Sequence, residues 1–143
     1  MSIKIISKNR KAFHDFDIQE KFEAGISLLG TEVKALRENK VNLSDGWVDL
    51  QDKGAFLMDV QIGHYSHGNQ MNHPEKRRRQ LLLKKKEIIK LTQLTQEKGM
   101  SVVPISIYFK ESYIKVEIAT ARGKKAYDKR EATKKRDANR QIA

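Results

Sequence analysis

The chain has 143 residues, no cysteine, 33% charged residues and a formal net charge of +11. That length suits one domain of about 120 residues plus an appendage and starves two separate cores. Disulfides and thiolate metal sites are excluded. No apolar run approaches the ~20 residues that span a bilayer, and Met1–Ser7 is too short and too soon followed by charge to be a signal peptide, so a cytoplasmic location is expected.

The charge is unevenly placed. Pro74 to Lys90 holds eight basic and two acidic residues, and Ala121 to Ala143 holds nine and three, so each segment carries +6 and the remainder sums to −1. A nearly neutral body with two basic appendages has the footprint of a nucleic-acid binder, in which Lys and Arg neutralise phosphates and release counterions.

In chain order, residues 1–14 are short, basic and mixed. From Asp17 the period is two, with Ile18, Phe22, Ala24, Ile26 and Leu28 on one face of a long strand; Gly25 in its middle predicts a bulge or bend. Thr31 is placed to cap a short helix over Glu32 to Asn39, with Val33 and Leu36 inward and Lys34 and Arg37 sharing the other side. The Ser44-Asp45-Gly46 turn leads to a strand at Trp47–Leu50, and Asp52-Lys53-Gly54 turns into another in which Phe56, Met58, Val60 and Ile62 alternate with Asp59 and Gln61; the two form a hairpin.

The following loop holds His64, His67 and His73. No carboxylate or cysteine is interleaved at ligand spacing, so no metal or other cofactor is expected, and imidazoles that are solvated or face RNA fit better. A histidine nuclease needs two groups converging on one phosphate, which this loop spacing does not supply. Leu81-Leu82-Leu83 suits either a buried strand or a helix entry, and Ile88, Leu91, Leu94 and Thr95 predict an amphipathic helix over Lys85 to Lys98, stopped by Gly99. Met100 to Phe109 alternates, with Val103, Ile105, Ile107 and Phe109 on one side; Pro104 marks an edge or an irregularity. Lys110-Glu111-Ser112 turns into Ile114, Val116 and Ile118, giving a second hairpin.

Five or six strands joined by turns, one short helix and one longer one argue for a mainly β fold, a small antiparallel barrel of the oligonucleotide-binding type with inserted helices, over residues 1–120. Residues 121–143 form a basic tail with too little apolar surface to fold alone; it is expected to be disordered when free. It lacks the Trp/Phe/Leu face of a membrane-surface helix.

Several long stretches, in order, resemble the small protein B family, the bacterial partners of transfer-messenger RNA: NRKAFHDF, FEAGISLLGTEVKALRENKVNLSDG, RRQLLLKKKEI, VVPISIYFKESYIKVEI and ARGKKAYDKRE. The resemblance runs from about Asn9 to Arg136. It implies an oligonucleotide-binding barrel with inserted helices that binds the tRNA-like part of transfer-messenger RNA and accompanies it to stalled ribosomes, with no covalent chemistry of its own. Residue by residue, it implies RNA contacts at Arg10, Lys11 and His14, at Glu23 and at Leu82, with Lys84 at a position often held by Asn or His and Phe13 where a basic residue is common. Lys34 and Arg37 join these as candidate RNA-binding residues, as do Lys124 and Lys125. GKKAYDKR, which supplies Lys124, Lys125, Asp128, Lys129 and Arg130, matches the tail motif that the family places in the ribosome, and Lys134, Lys135 and Arg136 beyond it are further candidates for the ribosome-engaging tail. The expected partners are therefore transfer-messenger RNA and ribosomal RNA, and the free protein is expected to be a monomer.

Overall fold

Antiparallel strands dominate the computed structural model, which describes residues 3–52, 54–66 and 72–123. In chain order these residues form β1 (Ile3–Lys8), α1 (Arg10–Asp15), β2 (Phe16–Ile26), α2 (Gly30–Arg37), β3 (Val41–Asn42), β4 (Trp47–Gln51), β5 (Gly54–Met58), β6 (Gln61–Ile62), β7 (Arg79–Leu82), α3 (Lys85–Lys98), β8 (Ser101–Lys110) and β9 (Tyr113–Gly123). Both anticipated hairpins form, β4 with β5 and β8 with β9. The expected disorder of the tail concerns residues that, from 124 on, lie outside the described ones. Ala121 to Gly123 belong to the sheet, since Ala121 is buried opposite Ile18 and Gly123 pairs with Phe16.

One sheet runs β1-β8-β9-β2-β7-β5-β4, and β3 pairs with β6 beside it. The sheet curls until β4 comes up against β8. At that seam Pro104 has no N–H to give a ladder. The buried Asn9 side chain serves instead: its Nδ2 donates to the Pro104 carbonyl at 2.8 Å and the Leu43 carbonyl at 3.1 Å, and its Oδ1 accepts from the Ala12 N–H, capping α1. Gly46 permits the close approach, since a Cβ there would lie 2.7 Å from Pro104 Cγ and 2.6 Å from Val60 Cγ2. The barrel interior is filled by Ala24, Leu36, Leu57, Ile62, Leu81, Ile107, Val116 and their neighbours, and Leu91 of α3 is fully buried with them.

The differences from the sequence reading have local causes. The described residues hold nine strands and three helices rather than five or six and two. The β2 bulge falls between Ile18 and Lys21, not at Gly25, so Ile18 packs with Ala12 and Val103 while Phe22 and Ala24 face the main core. Asp59 adopts a positive φ of 57°, which breaks the run and reverses its faces: Ala55 and Leu57 point inward before it, Val60 and Ile62 after it. A register shift between Pro104 and Ser106 likewise puts Val103 and Ile105 in the smaller cluster and Ile107 in the main one, confirming the irregularity at Pro104. Thr31 does not cap α2; the Leu29 N–H is satisfied by Glu32 Oε1 at 2.8 Å. The helix over Lys85–Lys98 stands as expected, closed by Gly99 at φ 63°.

Candidate nucleic-acid interface

Residues directly opposite in an antiparallel ladder share a face. Ile5, Tyr108, Lys115, Gly25 and Leu82 therefore form one row on the outer face across five neighbouring strands, and Ser106, Glu117 and Glu23 form the next. Gly25 leaves a gap in its row, and the gap is tight, because a Cβ on Gly25 would sit 3.2 Å from Leu82 Cβ. The result is a groove of about 490 Å³ lined by Glu23, Gly25, Gly54, Gln80, Leu82 and Lys84 among others. Leu82 is 57% exposed beside it whereas Leu81 points into the core, so the strand alternation that buries one leucine presents the next.

Glu23 is held in place from β8. Tyr108 Oη donates to Glu23 Oε2, and Lys110 Nζ donates to Oε1 at 3.1 Å. The Tyr108 bond is the main reason the carboxyl lies below its ordinary range; partial burial works the other way, and Lys110 adds to the lowering. Burial first, and then the carboxylate itself, push the Tyr108 phenol well up, so it stays a donor. Glu23 thus presents an ionised, acceptor-only group that suits a hydroxyl or amino donor and repels a phosphate. Lys84 stands at the junction of β7 and α3, where Glu87 accepts from its N–H at 3.0 Å and caps the helix. Its ammonium is exposed at the rim.

The structure thus brings together Glu23, Leu82 and Lys84, and places Arg10, Lys11, His14, Lys34 and Arg37 elsewhere. Arg10, Lys11 and His14 ride on α1, with Lys11 Nζ 3.5 Å from Asp45 and His14 Nδ1 3.0 Å from Asp15. Phe13, also on α1, borders a second depression with Ile3, Ile5 and Tyr108 that shares Glu23 with the first. Lys34 and Arg37 are exposed on α2, Lys34 Nζ lying 5.3 Å from the centre of the Tyr65 ring; neither lines the Glu23 groove. Lys124, Lys125, Asp128, Lys129, Arg130, Lys134, Lys135 and Arg136 lie outside the described residues.

Two expectations need correction. His73 is neither solvated nor turned toward a ligand. It is buried, its Nε2 at 2.9 Å from the Ile62 carbonyl and its Nδ1 at 2.8 Å from Thr31 Oγ, so it ties the loop to α2; His67 is outside the described residues. Nor is the basic run around β7 wholly a phosphate footprint. Glu32, fully buried, accepts from Arg77 Nη2 at 2.6 Å and from Arg79 Nε, and buried Arg79 also donates to the Val60 carbonyl. Burial alone would raise the Glu32 carboxyl, but the bonds from Arg77, the Leu29 N–H and Arg79 hold it below its usual range. Sequence reading missed Glu32, Asn9 and the Tyr108–Lys110 clamp because each acts across strands that no local pattern connects.

Comparison with known proteins identifies the family. The family model described as SmpB protein matches residues 6–143. An SsrA-binding protein of Geotalea uraniireducens is 51% identical over 143 residues, covering 100% of this chain and 95% of the relative. Another, from Carboxydothermus hydrogenoformans, is 50% identical over 139 residues, covering 97% and 93%. A solved structure described as "tmRNA-SmpB: a journey to the center of the bacterial ribosome" superposes with a TM-score of 0.73 at 42% identity, over 89% of this chain and 93% of that one. With the family model spanning nearly the whole chain and half the residues shared with such relatives, the chain belongs to the SmpB family.

Proposed function

We propose that this protein is an RNA-binding adaptor that holds transfer-messenger RNA against the outer face of its barrel and accompanies it to stalled ribosomes for trans-translation and ribosome rescue. The observation that carries the reading is the convergence of Glu23, Leu82 and Lys84, remote in sequence, on one open groove. Each supplies a different part of RNA recognition. Leu82 offers an apolar surface to a ribose or base face, Glu23 accepts from a hydroxyl or amino group, and Lys84 meets phosphate as a point charge. The groove holds an acceptor, a cation and an apolar wall, the set for binding rather than bond-making, and the protein works without covalent chemistry in the bacterial cytoplasm. The name borne by the relatives and the RNA–protein pair named for the solved structure support the same partners.

The basic segment after Gly123 is the ribosome-engaging part, through Lys124, Lys125, Asp128, Lys129, Arg130, Lys134, Lys135 and Arg136. Among the described residues, which end at Gly123, nine strands and their core are already present, and this supports two separable tasks. Deleting residues 124–143 is expected to leave the barrel folded and transfer-messenger RNA bound within roughly tenfold of the full chain, while tagging of nascent chains on stalled ribosomes is lost. Loss of RNA binding with tagging retained would refute this division.

A further inference from the structure

Three consecutive arginines enter β7, and the fold treats them differently. Arg77 and Arg79 are consumed by Glu32. Arg78 faces the other way, in line with Gln80 and Leu82, and among the described residues no carboxylate pairs with it. Its guanidinium carbon lies 3.7 Å from the centre of the Phe56 ring, and its Nη2 donates to Gln51 Oε1 at 3.1 Å. Gln51 is fixed in turn by donating to Asp49 at 2.7 Å. Phe56 is the ladder partner of Gln80, whose side chain lines the Glu23 groove. The stacked pair therefore lies on the same outer face, next to the groove.

A guanidinium whose carbon lies this close to the centre of an aromatic ring is held over that ring before any ligand arrives, and the planar group of an exposed arginine has a second face to offer. Phosphate recognition calls for a free fork of N–H donors; here the guanidinium carbon rests 3.7 Å from the ring centre and the Gln51 amide oxygen takes one of the donors. Such a plane is a platform for the π-face of an unstacked nucleobase. We propose that Arg78, positioned by Phe56 and Gln51, stacks on an unpaired base of the bound RNA and extends the recognition surface beyond Glu23, Leu82 and Lys84. The proposal rests on the RNA-binding reading of that groove and adds to it a contact that depends on planarity.

The test is a titration of transfer-messenger RNA with the full chain and with Arg78→Lys, Arg78→Ala and Phe56→Leu at several salt concentrations. Thermal melting verifies that each variant is folded. Arg78→Lys keeps the charge and loses the plane, so it should bind about tenfold more weakly, close to Arg78→Ala. Phe56→Leu should weaken binding severalfold and add little on top of Arg78→Lys, because both remove one platform. Acylation probing of the RNA should show one unpaired nucleotide constrained by the parent protein and released by Arg78→Lys. If Arg78→Lys binds within about twofold of the parent while Arg78→Ala lowers the slope of log affinity against log salt by about one, Arg78 meets a phosphate and the proposal is overturned. It is overturned equally if neither variant changes binding. A parent protein that fails to bind this RNA would instead refute the underlying function, and one that binds it unchanged after Glu23→Ala would refute the groove as the place where the RNA is recognised.

Discussion

Glu32 and Glu23 lie nine residues apart in a strongly basic chain, and each is gripped by cationic or hydroxyl donors from distant elements. Glu32 is fully buried between α2 and β7, where Arg77, Arg79 and the Leu29 N–H saturate it. Glu23 has its clamp on one side only and opens on a groove on the other. The difference shows how burial separates structure from function among identical side chains: where every lone pair is taken inside, the charge braces the fold, and where acceptor capacity remains at the surface, it is available to a ligand.

The largest effect should come from breaking the buried member. Glu32→Ala leaves Arg79 sealed in the interior without its carboxylate, and a loss of about 3–5 kcal/mol is expected. A denaturant midpoint close to that of the parent would show that Arg79 is hydrated or re-paired, and the contrast with Glu23 would fall.

Acid should act on the same contrast with a smaller amplitude. Both carboxyls have folded pKa values below their unfolded ones, so the stability they contribute is complete above the unfolded carboxylate pKa of about 4.3 and is lost as pH falls through the folded values. The melting temperature should therefore be level down to about pH 5.5 and drop below about pH 4.5. Melting curves across that range should show the drop made shallower by Glu32→Gln and little altered by Glu23→Gln. An equal change in the two variants would mean that exposure does not rank them.

The smallest stability effect is expected from Glu23→Ala. Its side chain is 39% exposed, and solvent screens the Lys110 pair, so the folded state should change by no more than about 1 kcal/mol. A larger loss in thermal or denaturant melts would make Glu23 a bracing residue like Glu32.

Alternation and helical spacing made β2, the two hairpins and α3 legible, since each repeats its period long enough to register. β1 was not, because Ile3 and Ile5 are apolar on its outer face while Ile6 packs on the core, leaving no alternation to read. α1 has only six residues, fewer than two helical turns. Face assignments failed at the β2 bulge and at Asp59 because one irregular residue reverses every side chain after it. In the site, Glu23, Leu82 and Lys84 were reached through family motifs, not through charge. Charge alone pointed to the arginine run, and it could not reveal that a glutamate 45 residues away from Arg77 claims two of its three members.

The affinity of Glu23→Ala for transfer-messenger RNA, measured by titration at one fixed salt concentration, bears most directly on the proposed interface. Removing an anion from a surface that meets a polyanion should strengthen binding if only long-range charge matters. If Glu23 accepts a hydrogen bond from the RNA at the groove, binding should weaken about tenfold instead, in a protein whose melting is nearly unchanged. Equal or tighter binding by the variant would mean that the groove of Glu23, Leu82 and Lys84 is not where the RNA is recognised.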